Sequence, residues 1–366
     1  MTGNSKPDAP PDHLPEHLLD GQPEQLDATL SSWCQREDLP SYRAAQIRQH
    51  LIDGRVLDPH EMTSLPESLR DQLAQQFLSP PFTATQLQRS SDGTIKYRFR
   101  LRDGLSIESV WIPSDDRGTL CVSSQVGCAA GCTFCATGTM KLSRNLQPNE
   151  IIGQWLAIDK ATVAEGLVGV TQVVFMGMGE PLHNYDAVSR TIEWLSSPVA
   201  YQFSPRRITV STVGIIPKIR QLVADHPQVR LAVSLHSAVE STRNEIVPIN
   251  SRHGLDELRN LLAEIRDETR RISLEYVVLP GVNDSAEEAE ALASFARRSG
   301  SHINLLPFHP FEGAPFQAAT EDDVARFLAL VEAKYDGPVT ARRSRGLDID
   351  GACGQLVLKT RPDPSS

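Results

Sequence analysis

Three successive periodicities divide the chain. Between residues 26 and 80, apolar positions recur at three- and four-residue spacing, as in SYRAAQIRQHLIDG and LPESLRDQLAQQF, punctuated by Pro and Gly. That spacing puts an apolar stripe on one side of a helix, so the stretch predicts a small helical accessory domain. From 82 to 112 the period falls to two. The segment TATQLQRSSDGTIKYRFRLRDGLSIESVWIP holds three extended runs separated by SSDG and RDG. Asp-Gly between alternating runs signals a hairpin, so a three-stranded antiparallel meander, acting as a linker over 81–118, is expected.

From about residue 119, short apolar strands alternate with helical patterns. The strands are TLCVSSQ, TQVVFMGM, RRITVST, VRLAVSLH, RRISLEYVVL and HINLLPF, and the amphipathic runs extend from EIIGQWLAIDKA to EDDVARFLALVEA. Such alternation implies parallel βαβ units with right-handed crossovers. An open doubly wound sheet and a partial barrel both satisfy it. Nearly every strand ends in a polar or Gly-rich loop: MGMGEP, STVG, SLHS, LPGVND, LPFHPFEG. Strand ends converging on one site are the mark of a barrel. The expected fold class is therefore α/β, a partial (β/α)6 barrel over 119–358. A last strand, PVTARRSR, leads into the tail GLDIDGACGQL.

Charge alters the picture locally. The net charge is −10, half of it in residues 1–30, where Asp8, Asp12, Glu16, Asp20, Glu24 and Asp27 face only Lys6. An acidic disordered tail over 1–25 and a flexible end over 359–366 are expected. The remainder is mildly acidic, so local basic patches decide partners. In KYRFRLR, Lys96, Arg98, Arg100 and Arg102 alternate with apolar residues and share one strand face. Four bases without an acid suggest phosphate contact; a solvated strand face is the plain alternative. Arg206, Arg207, Arg342, Arg343 and Arg345 are candidates to extend that patch. No apolar run reaches bilayer length, and MTGNSKPDAPPDHLPEH lacks the regions of a secretory signal, so a cytoplasmic, monomeric protein with no membrane partner is expected.

The chain has six cysteines, Cys34, Cys121, Cys128, Cys132, Cys135 and Cys353. In a long cytoplasmic chain, clustered cysteines point to metal or catalysis. Cys128, Cys132 and Cys135 follow the first barrel strand in GCAAGCTFCATG, among Gly127, Gly131 and Gly138. The plain reading is a helix with its cysteines toward a core, but three glycines make that helix poor. Zinc sites usually offer four ligands. Soft thiolates suit iron–sulfur clusters, and three ligands on a four-iron cluster leave one iron open.

The spacing Cys-x3-Cys-x2-Cys is the signature of radical S-adenosylmethionine (SAM) enzymes. From about residue 30 to 358 the chain resembles the RlmN/Cfr family of RNA adenine methyltransferases, through GTLCVSSQVGCAAGCTFCATG, RNLQPNEIIGQ, VVFMGMGEPL, RRITVSTVG, LAVSLHS, EIVPIN, YVVLPGVND and SRGLDIDGACGQL. The resemblance implies a radical SAM barrel in which Cys128, Cys132 and Cys135 hold a [4Fe-4S] cluster whose open iron chelates SAM. It implies Cys353 as the methyl carrier (an S-methylcysteine intermediate), Cys121 as the thiol that resolves the RNA adduct through a transient disulfide, and Glu108 as proton acceptor. It places Gly179, Glu180, Ser211, Ser234, Leu235, His236 and His309 around SAM, His309 standing where the family has Asn. The implied partners are RNA (23S rRNA, with tRNA as a further candidate) and a low-potential electron donor such as flavodoxin or ferredoxin. Methylation at adenine carbon 2 is the leading expectation, since the tail and MGMGEPL look more like RlmN. The alternatives are a Cfr-like carbon-8 enzyme and a non-catalytic RNA-binding protein with a structural cluster.

Overall fold

In the computed structural model, which describes residues 16–269 and 271–356, the first periodic stretch forms α1 (Leu26–Arg36), α2 (Tyr42–Ile52) and α3 (Glu67–Gln76). Their stripes bury Leu30, Trp33, Ile47, Leu51, Leu69 and Leu73. The expected disordered tail does not run to residue 25. Residues 16–25 form two short 3-10 turns, with Leu18 and Leu19 buried. Two apolar side chains in HLLDG are enough to dock the segment, and its acids find partners: Asp20 accepts from the Asn149 backbone at 2.9 Å, and Glu24 from Ser197 Oγ at 2.8 Å. Residues 1–15 and the end over 359–366 that the sequence predicts to be flexible lie outside the described residues.

The meander is β1 (Phe82–Arg89), β2 (Ile95–Leu101) and β3 (Ser106–Ser114), antiparallel throughout. It is not a linker. β3 pairs antiparallel with β4 (Arg117–Cys121), so the meander and barrel share one sheet. The remaining strands are β5 (Gln125–Val126), β6 (Arg144–Asn145), β7 (Gln172–Phe175), β8 (Ile208–Thr212), β9 (Arg230–Ser234), β10 (Ile272–Val278), β11 (His302–Pro307) and β12 (Val339–Ala341). The ten-stranded sheet runs β1-β2-β3-β4-β7-β8-β9-β10-β11-β12, and β5 and β6 form a separate ribbon.

From β4 onward the strands are parallel and follow chain order. A doubly wound sheet would reverse its order partway. Unbroken order with right-handed crossovers puts every helix on one face and curls the sheet into a barrel that stays open between β12 and β1. The crossovers are α4 (Ala136–Thr139), α5 (Pro148–Ala164), α6 (Tyr185–Ser196), α7 (Ile216–Asp225), α8 (Glu240–Ile246), α9 (Leu255–Ile265), α10 (Ala286–Ser299) and α11 (Glu321–Glu332). α5 starts at Pro148 with a Gln147–Glu150 capping box, which satisfies otherwise orphaned backbone donors. It buries Ile152 and Leu156, each worth roughly 2 kcal/mol of removed apolar surface. α8 was not expected, because ESTRNEI has too few apolar residues to show a period.

Candidate active site

The C-terminal ends of the barrel strands surround a cavity of about 370 Å³. Cys128, Cys132 and Cys135 line it, as do Cys121 and Cys353 and the strand-end residues Gly179, Glu180, Ser211, Ser234 and His236. Thus one cavity collects residues from positions more than two hundred apart in sequence.

The cysteine loop is held by backbone approach. Gly127 has φ +80°, and a Cβ there would come within 2.2 Å of Lys141 O; one on Gly138 would meet Cys132 O at 2.5 Å. Glycine is the only residue that both positions accept. Ala130 N donates to Cys128 Sγ at 3.4 Å, and Thr133 N donates to Ile246 O at 3.1 Å, which ties the loop to the end of α8. Among the described residues, no three metal-ligating side chains converge as they would around a single ion. The three thiols share a cavity wall, and soft thiolates of that kind would hold an iron–sulfur cluster. Burial pushes all three thiols up, Cys128 to about 12, and neighbouring thiols add to this for Cys128 and Cys132. The donor set therefore fits an iron–sulfur cluster, which removes that penalty by replacing the protons.

The tail brings Cys353 to this loop. Ala136 N donates to Gly354 O at 2.7 Å, and Thr137 Oγ1 donates to Leu356 O at 2.6 Å. Cys353 is accessible from the cavity, yet burial and Glu275 push its thiol up, while Arg342 opposes them. Cys121 is buried, and burial followed by the nearby Cys353 thiol pushes it up further.

Pairing explains the inner face. Val110 lies opposite both Cys121 and Lys96, and Glu108 lies opposite Arg98. Cross-strand partners share a face and residues two apart share it too. Hence Cys121, Glu108, Lys96 and Arg98 continue the barrel's inner face into the meander. Glu108 does not line the cavity itself; it is buried, with Lys96 Nζ 3.8 Å from Oε1. Lys96 Nζ also donates to Asp350 O in the tail at 3.4 Å. The reading of Lys96 as a phosphate contact is therefore corrected: its ammonium is buried against a carboxylate. Arg98 is half-buried, and Arg100 and Arg102 are exposed. Arg206 and Arg207 precede β8 and so lie at the end of that strand away from the cavity, not around its mouth.

Glu180 caps the turn after β7, its carboxylate accepting from Leu182 N at 3.0 Å and Val213 N at 2.9 Å. Burial pushes it up to about 7 despite these backbone donors, so a cationic ligand beside it would favour its charged form. Ser211 and Ser234 hydroxyls lie 3.1 Å apart. His236 Nδ1 accepts from Val277 N at 3.0 Å, leaving the proton on Nε2, and burial lowers its pKa to about 3. Leu235 is fully buried and His309 stands behind the wall, its Nε2 2.7 Å from Ser344 Oγ; neither lines the cavity.

Sequence reading missed three supports. Gln154 on α5 accepts from Ser109 Oγ and Ser123 N and donates to Ser123 O, which locks β3 to the loop after β4. Buried Arg243 joins the ends of β8 and β9 through Val213 O and Leu235 O. Glu275 sits mid-strand on β10 at the cavity, held by Asn304 Nδ2 at 2.8 Å. A polar residue inside EIIGQWL or SLEYVVL is the only signal the sequence offered.

A partial barrel with three thiols after its first strand and a cavity at its strand ends defines a radical SAM enzyme, and residues 122–295 match the Radical SAM superfamily. The chain belongs to the RlmN family of dual-specificity RNA methyltransferases. It is 44% identical to the probable dual-specificity RNA methyltransferase RlmN of Gemmatimonas aurantiaca, covering 94% of this chain and 93% of that one. It is also 44% identical to the dual-specificity RNA methyltransferase RlmN of Anaeromyxobacter dehalogenans, over 88% of each. The crystal structure of a radical SAM methyltransferase from Sphaerobacter thermophilus superposes with a TM-score of 0.87 at 41% identity, covering 93% of this chain and 99% of that one.

Proposed function

We propose that the protein methylates carbon 2 of an adenine in 23S rRNA and in tRNA, through a methyl group carried on Cys353. The observation that carries this reading is the meeting of Cys353, Cys121 and the three-thiol loop in one cavity. Cys128, Cys132 and Cys135 would hold the cluster, and Glu180, Ser211, Ser234 and His236 would line the SAM pocket. When bound, these groups supply the methyl group and a 5′-deoxyadenosyl radical. Radical chemistry suits an amidine carbon, which is too weakly acidic to act as a nucleophile at neutral pH.

The chain's own residues do the rest. Cys353 presents the methyl group on Sγ inside the cavity, where the barrel excludes water. Glu108 is the proposed acceptor of the proton released from the adenine carbon; it lies beyond the cavity wall on the same sheet face as Cys121, so the proton reaches it by relay and not by direct contact. Cys121 Sγ attacks Cys353 Sγ in the RNA adduct: the S–S bond forms as the bond from Cys353 Sγ to the transferred carbon breaks. That carbon keeps the electron pair and takes a proton to become the methyl group of the released RNA. A low-potential donor such as flavodoxin or ferredoxin supplies the electrons. No described helix is long and apolar enough to cross a membrane, and we place the reaction in the cytoplasm.

The test is a comparison of modified nucleosides in host rRNA and tRNA with and without the gene. Loss of 2-methyladenosine is expected. Loss of the carbon-8 isomer would make the enzyme Cfr-like, and no change would favour an RNA-binding protein with a structural cluster.

A further inference from the structure

The tail between β12 and Cys353 carries Arg342, Arg343 and Arg345, and all three line the mouth of the cavity. All three are exposed. Several arginines elsewhere on the surface, such as Arg48, Arg89, Arg144, Arg220 and Arg326, are paired with carboxylates. Among the described residues, exposed Arg100, Arg102, Arg206 and Arg207 are not, but none of those four lines the cavity. Among the described residues, no acid lies within 4.0 Å of the three at the mouth. In a chain of net charge −10, a rim of unneutralised guanidinium groups is a local reversal of sign.

The backbone beneath these side chains is pinned on both sides. Arg342 N donates to Leu305 O at 2.8 Å, which extends β12. Ser344 is held by His309 Nε2 at 2.7 Å, and Gly346 N donates to Asp92 Oδ2 at 2.9 Å. Gly346 has φ +66°, the turn that swings the chain toward Cys353. So the charged heads are unpaired while the residues beside them are fixed. A pinned backbone that presents unpaired cations is partly pre-organised for an anionic ligand, because the main chain has little ordering entropy left to lose on binding. Guanidinium groups match phosphate geometry with paired N–H donors.

We propose that Arg342, Arg343 and Arg345 form a phosphate clamp that grips the RNA backbone next to the nucleotide entering the cavity. The clamp rests on the reading of the protein as an RNA methyltransferase. It acts by position, holding the strand where Cys353 reaches one base. It also gives His309 a purpose outside SAM binding: it fixes Ser344 between Arg343 and Arg345.

The test uses the cluster-loaded, full-length enzyme and a substrate RNA, with affinity measured across a salt series. Each phosphate contact adds about one unit to the slope of log affinity against log salt. Changing all three arginines to Gln should lower the slope by about two to three units and raise KM for RNA far more than it lowers kcat. Changing all three to Lys should restore most of the slope, which a purely structural tail would not. An unchanged slope and KM in the Gln variant overturn the clamp. So does a slope lost only when Arg98, Arg100 and Arg102 are changed to Gln, which would put the phosphates on β2. A wild-type enzyme that neither binds nor methylates RNA would instead sink the functional reading itself.

Discussion

The proposed function divides the labour among single thiols, and their placements predict distinct failures. Without Cys353 no sulfur carries the methyl group, so Cys353→Ala should transfer nothing to RNA. Cys121→Ala should still form the adduct but lack the thiolate that releases it. Nuclease digestion followed by mass measurement should find RNA covalently attached in Cys121→Ala and none in Cys353→Ala; the same outcome for both would refute the division. Cys132→Ala should lose the iron–sulfur absorption, and a full cluster in that variant would refute the ligand assignment. Lys96 tests the corrected reading of β2. It is buried with Glu108, so Lys96→Met should destabilise the fold by about 3 kcal/mol, as removal of one partner of a buried pair does. A surface phosphate contact would leave the denaturation midpoint unmoved. The thiols were legible because spacing and motif carry their chemistry. Lys96 was not, because period two says which residues share a face and not what covers it.

Elements meet at a few positions where side chains are excluded. Gly179, between β7 and the capped turn, has φ +103°, and a Cβ there would fall 2.6 Å from Gln125 Cβ. Gln125 cannot swing away cheaply, since it accepts from Glu180 N at 2.8 Å and donates to Asn145 Oδ1 at 2.7 Å. Gly179→Ala should therefore cost about 1–3 kcal/mol from backbone strain alone, with further loss from the overlap. A thermal melt of the purified variant checks this, and a wild-type midpoint would mean that the turn relaxes. Strand and helix order was readable from the alternating periods, and loops at strand ends correctly favoured a barrel. The join between β3 and β4 was not readable. Antiparallel pairing across a short turn looks the same in sequence whether the strand before it ends one domain or continues a sheet.

For the whole molecule, acid sensitivity should follow from two buried, neutral histidines. His17 accepts from Leu19 N at 3.1 Å, and burial lowers its pKa to about 4; His236 is lowered to about 3. A depressed folded pKa means that the stability is present above the unfolded value, near 6.5, and is lost as pH falls. Each histidine should cost about 1.4 kcal/mol per pH unit between its unfolded and folded values. Denaturant midpoints at several pH values below 6.5 should show that slope, and His17→Gln should flatten it; an unchanged slope would remove His17 from the account. The shared sheet predicts another whole-molecule effect. A fragment beginning at residue 117 lacks β3, so β4 becomes an open edge that uncovers Leu120 and Cys121, which are buried in the full chain, whereas the full chain's edge strand β1 is largely polar. Such edges recruit other chains, and light scattering should show that fragment associating while the full chain does not.

The tail crosses from β12 back to the first hairpin, where Asp92 holds Gly346 and Ser91 N donates to Asp348 Oδ2 at 3.0 Å. A ribosome delivers these partners far apart in time: Ala352, Cys353 and Leu356 follow the hairpin by more than 250 residues. Until then the cavity lacks the wall those residues provide, and the three-thiol loop stands open to solvent. Domains fold in the order they are made, so in each newborn molecule the residue proposed to carry the methyl group arrives long after the thiols it is to serve, and the site is sealed by the same act that completes it.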